Sequence, residues 1–363
     1  CSTYKTYVTS TNHRNFHLFL PSFEFTKNST LSENMLKIYM IKTLLKFLFA
    51  AALLYWLIAS GKLDLTLIRK SFEIGPQWLI AFLLLAAQVA IGTYRYKILL
   101  ETKSSKTLSF FQVLKLNYVG LFFSSVLPGA VTGDLIKLVY IKKLDQGFTK
   151  TFLVTVTLLD RIIGLAGLLF LAGFFSSIYY NDVTTLSPKI AQIITLNLFL
   201  FFGTICFLGA LIAPHKFQRK FVHLIRKIPF IGKKISKIFS QIFTLRENKK
   251  DLTKCFALSV FAQFLGILAF WTISSPFYSG HLPLQYAFTF IPVGLIATAI
   301  PISPGGLGVG HMLFAKLFSF VQIDNGASLF NLFFLCSFTH NFLGVIPYLI
   351  SGRKTVIELE KAK

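Results

Sequence analysis

Two carboxylates and two cations sit where an apolar chain tolerates them least. Asp134 and Lys137 lie inside the apolar stretch 108–141, and Asp160 and Arg161 lie inside the apolar block 151–176. A charge at the centre of a membrane-spanning helix costs about 2.5–3.5 kcal/mol on insertion scales, so such residues face one another, a cavity or a ligand. Asp134 and Lys137 are spaced i, i+3, which lets them pair on one helix face. Asp160 and Arg161 are neighbours that point in different directions, so neither fully satisfies the other. The arrangement favoured by these positions has Arg161 facing Asp134 or a lipid phosphate. A purely structural ion pair between helices fits the same residues.

The step Pro128-Gly129 stands just ahead of Thr132, Gly133 and Asp134. If the chain turns there, the next helix presents free backbone N–H groups, and its dipole, equivalent to about half a charge, favours an anion. Thr132 and Gly133 would let a phospholipid head group approach closely. A structural turn with Asp134 as a helix cap explains the run equally well.

The run Pro301-Ile302-Ser303-Pro304-Gly305-Gly306-Leu307-Gly308-Val309-Gly310-His311 is the most distinctive in the chain. Its glycines allow backbones to pack closely or to line a ligand path. It is no nucleotide loop, because no strand precedes it and no Gly-Lys-Ser/Thr follows. His311, His340 and Asn341 are candidates for the polar lining of one cavity, against the ordinary alternative of hydrogen-bonded structural side chains. There is no HExxH, no GxSxG and no pair of catalytic carboxylates. Cys1, Cys206, Cys255 and Cys336 form no CxxC pair or His/Cys cluster, so no metal site, cofactor or disulfide framework is implied.

Membrane-spanning helices must position these groups. Only 14% of the 363 residues are charged, against about a quarter in soluble domains, and the mean hydropathy is +0.65. The expected fold is all-α, a polytopic transmembrane bundle. Six blocks reach the roughly 20 residues that cross a hydrocarbon core: 41–60, 77–98, 151–176, 190–213, 252–274 and 329–350. Two further stretches, 108–141 and 286–321, are broken by Pro and Gly, which is tolerated at membrane depth only where protein or a water-filled cavity satisfies the freed backbone.

The net charge of +23 is concentrated in the connections. That placement sets membrane orientation and gives none of the basic and aromatic interleaving of a nucleic-acid surface. The 214–254 connection holds twelve Lys and Arg against Glu247 and Asp251, which makes it cytoplasmic. It reads as two basic amphipathic helices lying on the leaflet. By the same parity, 95–106 and 142–150 are cytoplasmic, whereas 275–285 and 323–328, without Lys or Arg, are external. Each broken segment therefore enters and leaves on one side, as a re-entrant hairpin, and the two enter from opposite faces. Polar residues ahead of a glycine follow both hairpins, at Asp160-Arg161…Gly164 and His340-Asn341…Gly344, which points to an inverted repeat of the kind found in transporters. Residues 1–34, which begin with Cys1, read as a disordered extension from upstream of the true start, and 35–363 as one integral domain of the cell (inner) membrane with both termini cytoplasmic.

In order and spacing, Leu127-Pro128-Gly129…Gly133-Asp134…Lys137, Asp160-Arg161…Gly164 and Pro301…Ser303-Pro304-Gly305-Gly306-Leu307-Gly308 resemble the lysylphosphatidylglycerol synthase transmembrane region, also called the flippase-like membrane domain. The likeness covers nearly everything after about residue 40. It implies a bacterial or archaeal membrane domain. In multiple-peptide-resistance proteins the similar region is linked to moving aminoacylated phosphatidylglycerol between leaflets, while a separate soluble domain performs aminoacyl transfer. With the chain ending at Lys363, the resemblance implies a lipid translocator that does not synthesise that lipid. Its partners would be membrane lipids, anionic phospholipid first, and a soluble transferase second. A subunit of a lipid-linked glycosyl- or aminoacyl-transfer system and a lipid-binding scaffold are the alternatives. Thr132 stands where the family often has a second Gly, and His311 where an acidic residue is common.

Overall fold

The computed structural model describes residues 75–126, 132–212, 249–277, 283–298, 309–323 and 326–350, with isolated positions at 222, 223, 226 and 236. The chain divides into two compact units, Cys1–Leu53 and Leu54–Lys363, and every described residue belongs to the second. The expected extension 1–34, the crossing at 41–60 and most of the basic connection 214–254 lie outside the described residues.

The regular structure among the described residues is entirely helical. In chain order it comprises α1 (Gln77–Glu101), α2 (Phe110–Val126), α3 (Thr132–Ile141), α4 (Lys150–Ile178), the short α5 (Tyr180–Thr184), α6 (Pro188–Ile212), α7 (Lys249–Ser274), α8 (Leu284–Thr298), α9 (Val309–Ser319) and α10 (Gly326–Phe342). Among the described residues, five runs are long and apolar enough to cross a bilayer: Gln77–Glu101, Lys150–Ile178, Pro188–Gly209, Lys250–Ser274 and Gly326–Ile350. They coincide with five of the six expected crossings. The protein is a multi-pass helical membrane protein. Its longest described helix, α4, starts where the Thr149 side chain accepts a hydrogen bond from the Phe152 amide, capping one of the helix's orphan donors. At 29 residues it is about 43 Å long.

Each broken stretch resolves into two shorter helices packed on one another. In the first, a Cβ on Gly133 would fall 2.1 Å from the Gly120 carbonyl oxygen and from Ser124 Oγ, and one on Gly120 would meet the Lys137 side chain. Asn117 in turn bonds Lys137. Partners thus separate along the chain as the pairing moves away from the 127–131 connection, which makes α2 and α3 an antiparallel hairpin. Only glycine permits the approach at 133, since no real Cβ sits so close to backbone. In the second stretch, Gly294 of α8 faces the Phe314 ring of α9, and Phe290 shares a cluster with Leu317.

The first hairpin is tied shut at its base. Asp145, which follows α3, accepts hydrogen bonds from Ser104 Oγ (3.0 Å), Ser105 N (2.8 Å) and Ser105 Oγ (2.7 Å), which precede α2, and from Gly147 N (2.8 Å). The stretch therefore enters and leaves at one place. That base packs with Phe148 and Phe152 at the N-terminal end of α4, together with Tyr96, Leu99 and Leu100 of α1. The second hairpin packs Phe290 and Leu317 against Val183, Ile190 and Tyr179, beyond the C-terminal end of α4. Since α4 runs the height of the bundle, the two hairpins enter from opposite faces, as the charge parity requires.

The hydroxyl of Ser105, then the Gly147 and Ser105 amides, hold the Asp145 carboxyl well below the usual carboxylate range. The folded state binds that proton more weakly than the unfolded chain. The clamp's stabilisation is therefore fully present above the unfolded value of about 3.9 and is lost as pH falls through the lower folded value. Asp145→Ala is expected to lower the melting midpoint in detergent at pH 7, with wild type and variant converging only in strong acid. Equal midpoints at pH 7 would remove the clamp from the account.

Candidate functional site

Lys137 of α3 is the centre of a buried polar cluster. Its Nζ lies 3.2 Å from Asp134 Oδ1, donates to Asn117 Oδ1 at 3.4 Å and sits 4.2 Å above the Tyr96 ring of α1. Asn117 Nδ2 donates to Thr93 Oγ1 at 2.9 Å, and Tyr96 shares a hydrogen bond of 2.9 Å with Thr157 of α4. The second oxygen of Asp134 accepts from Arg161 Nε at 2.5 Å. Asp160 accepts from Arg95 Nε of α1 at 2.8 Å, and Arg95 Nη1 also donates to Ser259 Oγ of α7 at 3.0 Å. Ser259 passes its own proton to the Ile163 carbonyl at 2.8 Å.

Helix geometry explains the division. Successive residues turn by about 100°, so Asp160 reaches α1 while Arg161 reaches the hairpin. Among the described residues the cluster holds three cations (Arg95, Lys137, Arg161) and two carboxylates (Asp134, Asp160). Its side chains are not equally covered. Lys137 is 7% exposed, Arg95 10%, and both carboxylates 17%, whereas Arg161 is 41% exposed. Arg161 is thus the most exposed of the five, and its guanidinium is suited to bidentate contact with a phosphate-sized anion.

Beyond the cluster lies a cavity of about 100 Å³. Ser125, near the end of α2, and Thr298, at the end of α8, line it with Ser337, Asn341 and a wall of phenylalanines from α10. Ser125 is 15 residues along α2 and Thr298 is 14 along α8, about 22 and 21 Å along their own axes from their starts, and both ends border this one cavity. Asn341 Nδ2 donates to Ser125 Oγ at 3.0 Å, which fastens α10 to the first hairpin. One residue earlier, the buried His340 shares a hydrogen bond of 3.1 Å between its Nε2 and Tyr118 Oη and meets the Phe82 ring edge-on.

The structure brings Asp134, Lys137, Asp160 and Arg161 together, with Arg161 facing Asp134 and Asp134 pairing with Lys137. Gly133 serves the α2–α3 contact. One cavity lined by His311, His340 and Asn341 was the expectation for these three residues. Asn341 lines it, but His340 turns to Tyr118, and His311 stacks edge-on against Phe330 at 5.0 Å; neither is in the described lining. The reason is again the angle between adjacent helix positions. Pro128, Gly129, Ser303, Pro304, Gly305 and Gly306 lie outside the described residues. Sequence reasoning missed Arg95, counted with a flanking connection although it falls within the expected 77–98 crossing. It also missed Asn117, Tyr118 and Ser259, whose ordinary spacing carries no signal.

The profile of the family described as Lysylphosphatidylglycerol synthase TM region matches residues 43–344, a span that contains the whole cluster and cavity. No curated protein gives a significant match.

Removing one member of a buried ion pair leaves an uncompensated charge, a loss of about 3–5 kcal/mol. Arg95→Ala and Asp160→Ala are each expected to destabilise the protein on that order. The double variant should lose clearly less than the sum, as read by denaturation in detergent. Additive losses would mean that the two side chains act independently.

Proposed function

This chain belongs to the Lysylphosphatidylglycerol synthase TM region family, and from that premise we propose that it is a lipid translocator, passing phospholipid head groups between leaflets while the acyl chains stay in the surrounding lipid. The observation that supports this reading is the charged cluster inside the bundle, whose most exposed member among the described residues is the Arg161 guanidinium. Charges at that depth are expensive and face partners or a ligand. Arg161 contacts the phosphodiester of an arriving head group, and Lys137 keeps Asp134 neutralised from behind.

The hairpins supply the route. Two short helical pairs from opposite faces come together at the cavity, the arrangement by which broken helices build substrate sites in transporters. The end of the bundle bearing Lys97, Lys103, Lys106, Lys142, Lys143 and Lys150 faces the cytoplasm in this reading, because positive residues are retained there. The protein works in the cell membrane. Head groups load from the cytoplasmic leaflet through Arg161.

Reconstitution in vesicles with acyl-labelled phospholipids, read by quenching of the outer leaflet, tests the proposal. Wild type is expected to accelerate leaflet exchange. Arg161→Gln should slow it by roughly tenfold or more, the loss expected for one charged hydrogen bond. No acceleration for any of several head groups contradicts the reading.

A further inference from the structure

We propose that the α3–α4 flank of the charged cluster is a side port, where a phospholipid of the leaflet on the lysine-bearing side docks from within the bilayer, its phosphodiester on Arg161 and its acyl chains on the apolar residues around it. The inference rests on the lipid-translocator reading for its purpose, and it names the surface and the direction from which the ligand of that site arrives. It starts from the residues that share a face with Arg161. On α4, Val154, Leu158 and Leu165 are exposed and stand seven and three residues before Arg161 and four after it, so the four side chains form one strip. Leu135 and Val139 are exposed on α3, the helix from which Asp134 holds Arg161. Between Val154 and Leu165 the Arg161 guanidinium is the one charged group on this strip.

Among the described residues, two other sides of the cluster are walled off. Toward the hairpin base it rests on a packed floor, in which Tyr96, Leu99, Leu100, Ile141, Phe148 and Phe152 are buried together. The Asp145 clamp ties the chain beneath that floor. At the back, Lys137 lies on the Tyr96 ring and Arg95 reaches Ser259, so α1 and α7 form the rear wall. A water-borne anion coming from the base would have to part the floor. A molecule already in the bilayer meets Arg161 directly. An arginine that serves only to reach the interface extends its side chain toward water, whereas this one is tied sideways, through its Nε, to Asp134.

The chemistry of the surface selects its occupant. A guanidinium takes a phosphate through two parallel hydrogen bonds, and exposed aliphatic side chains take acyl chains. A phospholipid carries both on one molecule. Inorganic phosphate carries only the first, and a second copy of this chain would have to bring an anion to Arg161 on an apolar face. An exposed charge beside lipid chains is costly until an anion or water reaches it, so docking relieves the one expensive group on the strip.

The full chain, with its own cysteines replaced, would carry a small fluorophore at Leu158→Cys or, as a control on an exposed position of α6, at Phe199→Cys. It would be placed in vesicles of phosphatidylcholine and phosphatidylglycerol containing lipids with a nitroxide quencher on the head group or near the chain end. At Leu158→Cys the head-group quencher is expected to act more strongly, and at Phe199→Cys the chain-end quencher. That comparison needs no charge variant. Arg161→Gln should reverse the order at Leu158→Cys and cut the phospholipid retained in native mass spectrometry by roughly tenfold, the loss expected for one charged hydrogen bond. Leu158→Trp, which alters an exposed side chain and spares the fold, should lower retention as well. Stronger chain-end quenching at Leu158→Cys, head-group quenching that persists in Arg161→Gln, or retention unmoved by both variants overturns the inference. So does shielding from both quenchers, which marks a second copy of the chain, and so does displacement of lipid by millimolar inorganic phosphate, which marks a water-borne ligand. Docking as expected without leaflet exchange supports the port and contradicts translocation. Exchange without docking does the reverse.

Discussion

A charge inside a bilayer must find a counter-charge, and the first half of this bundle is organised around that requirement. Asp134 lies between Lys137 and Arg161, and Asp160 holds Arg95, which reaches on to Ser259. These few contacts tie α1, α3, α4 and α7 to one point. Breaking any one leaves a buried charge exposed to hydrocarbon, so the hairpin that carries Asp134 and Lys137 has little freedom to move. The close contact at Gly120 and Gly133 serves the same end, since it lets α2 bring Asn117 to the Lys137 amine. Packing and electrostatics here enforce a single geometry.

The second half repeats the outline with different chemistry. Both hairpins are followed by a long helix with a polar pair ahead of a glycine. The first pair, Asp160 and Arg161, bonds to α1 and to its own hairpin. The second pair, His340 and Asn341, bonds instead to the other hairpin, at Tyr118 and Ser125. Gly344 permits this, because a Cβ there would lie 2.0 Å from the Tyr118 carbonyl oxygen. The result is polarised. Charge gathers toward the end of α4 where the first hairpin enters, and neutral hydroxyl, amide and aromatic groups gather where the two hairpins come near each other. Phenylalanine does most of the packing on the second side, with Phe270, Phe314 and Phe330 stacked in series.

Much of this was legible in the sequence because the bilayer enforces simple rules. Apolar block length found five crossings, and lysine placement found the same-side hairpins, since both reflect transfer energies that no tertiary contact overrides. The Arg161–Asp134 pairing was legible for the same reason: two charges in neighbouring apolar stretches have few partners to choose from. Arg95 was not, because a cation near the end of an apolar block reads as an orientation signal even inside an expected crossing, and α1 continues past it to Glu101. The contacts of His311 and His340 were not legible, because a histidine's neighbours depend on rotation about a helix axis. Periodicity alone does not fix that rotation when the helix is apolar on every side.

The central claim is that two hairpins from opposite faces come close together inside the bundle. It is tested most directly in membranes with cysteines introduced at Ser125 and Thr298, in a chain whose own Cys1, Cys206, Cys255 and Cys336 have been replaced. A short bifunctional thiol reagent should join the two positions efficiently within one chain. It should not join either to a control cysteine at Asp182, beyond the far end of α4. Failure to join Ser125 and Thr298, with both cysteines shown to react singly, would contradict the account.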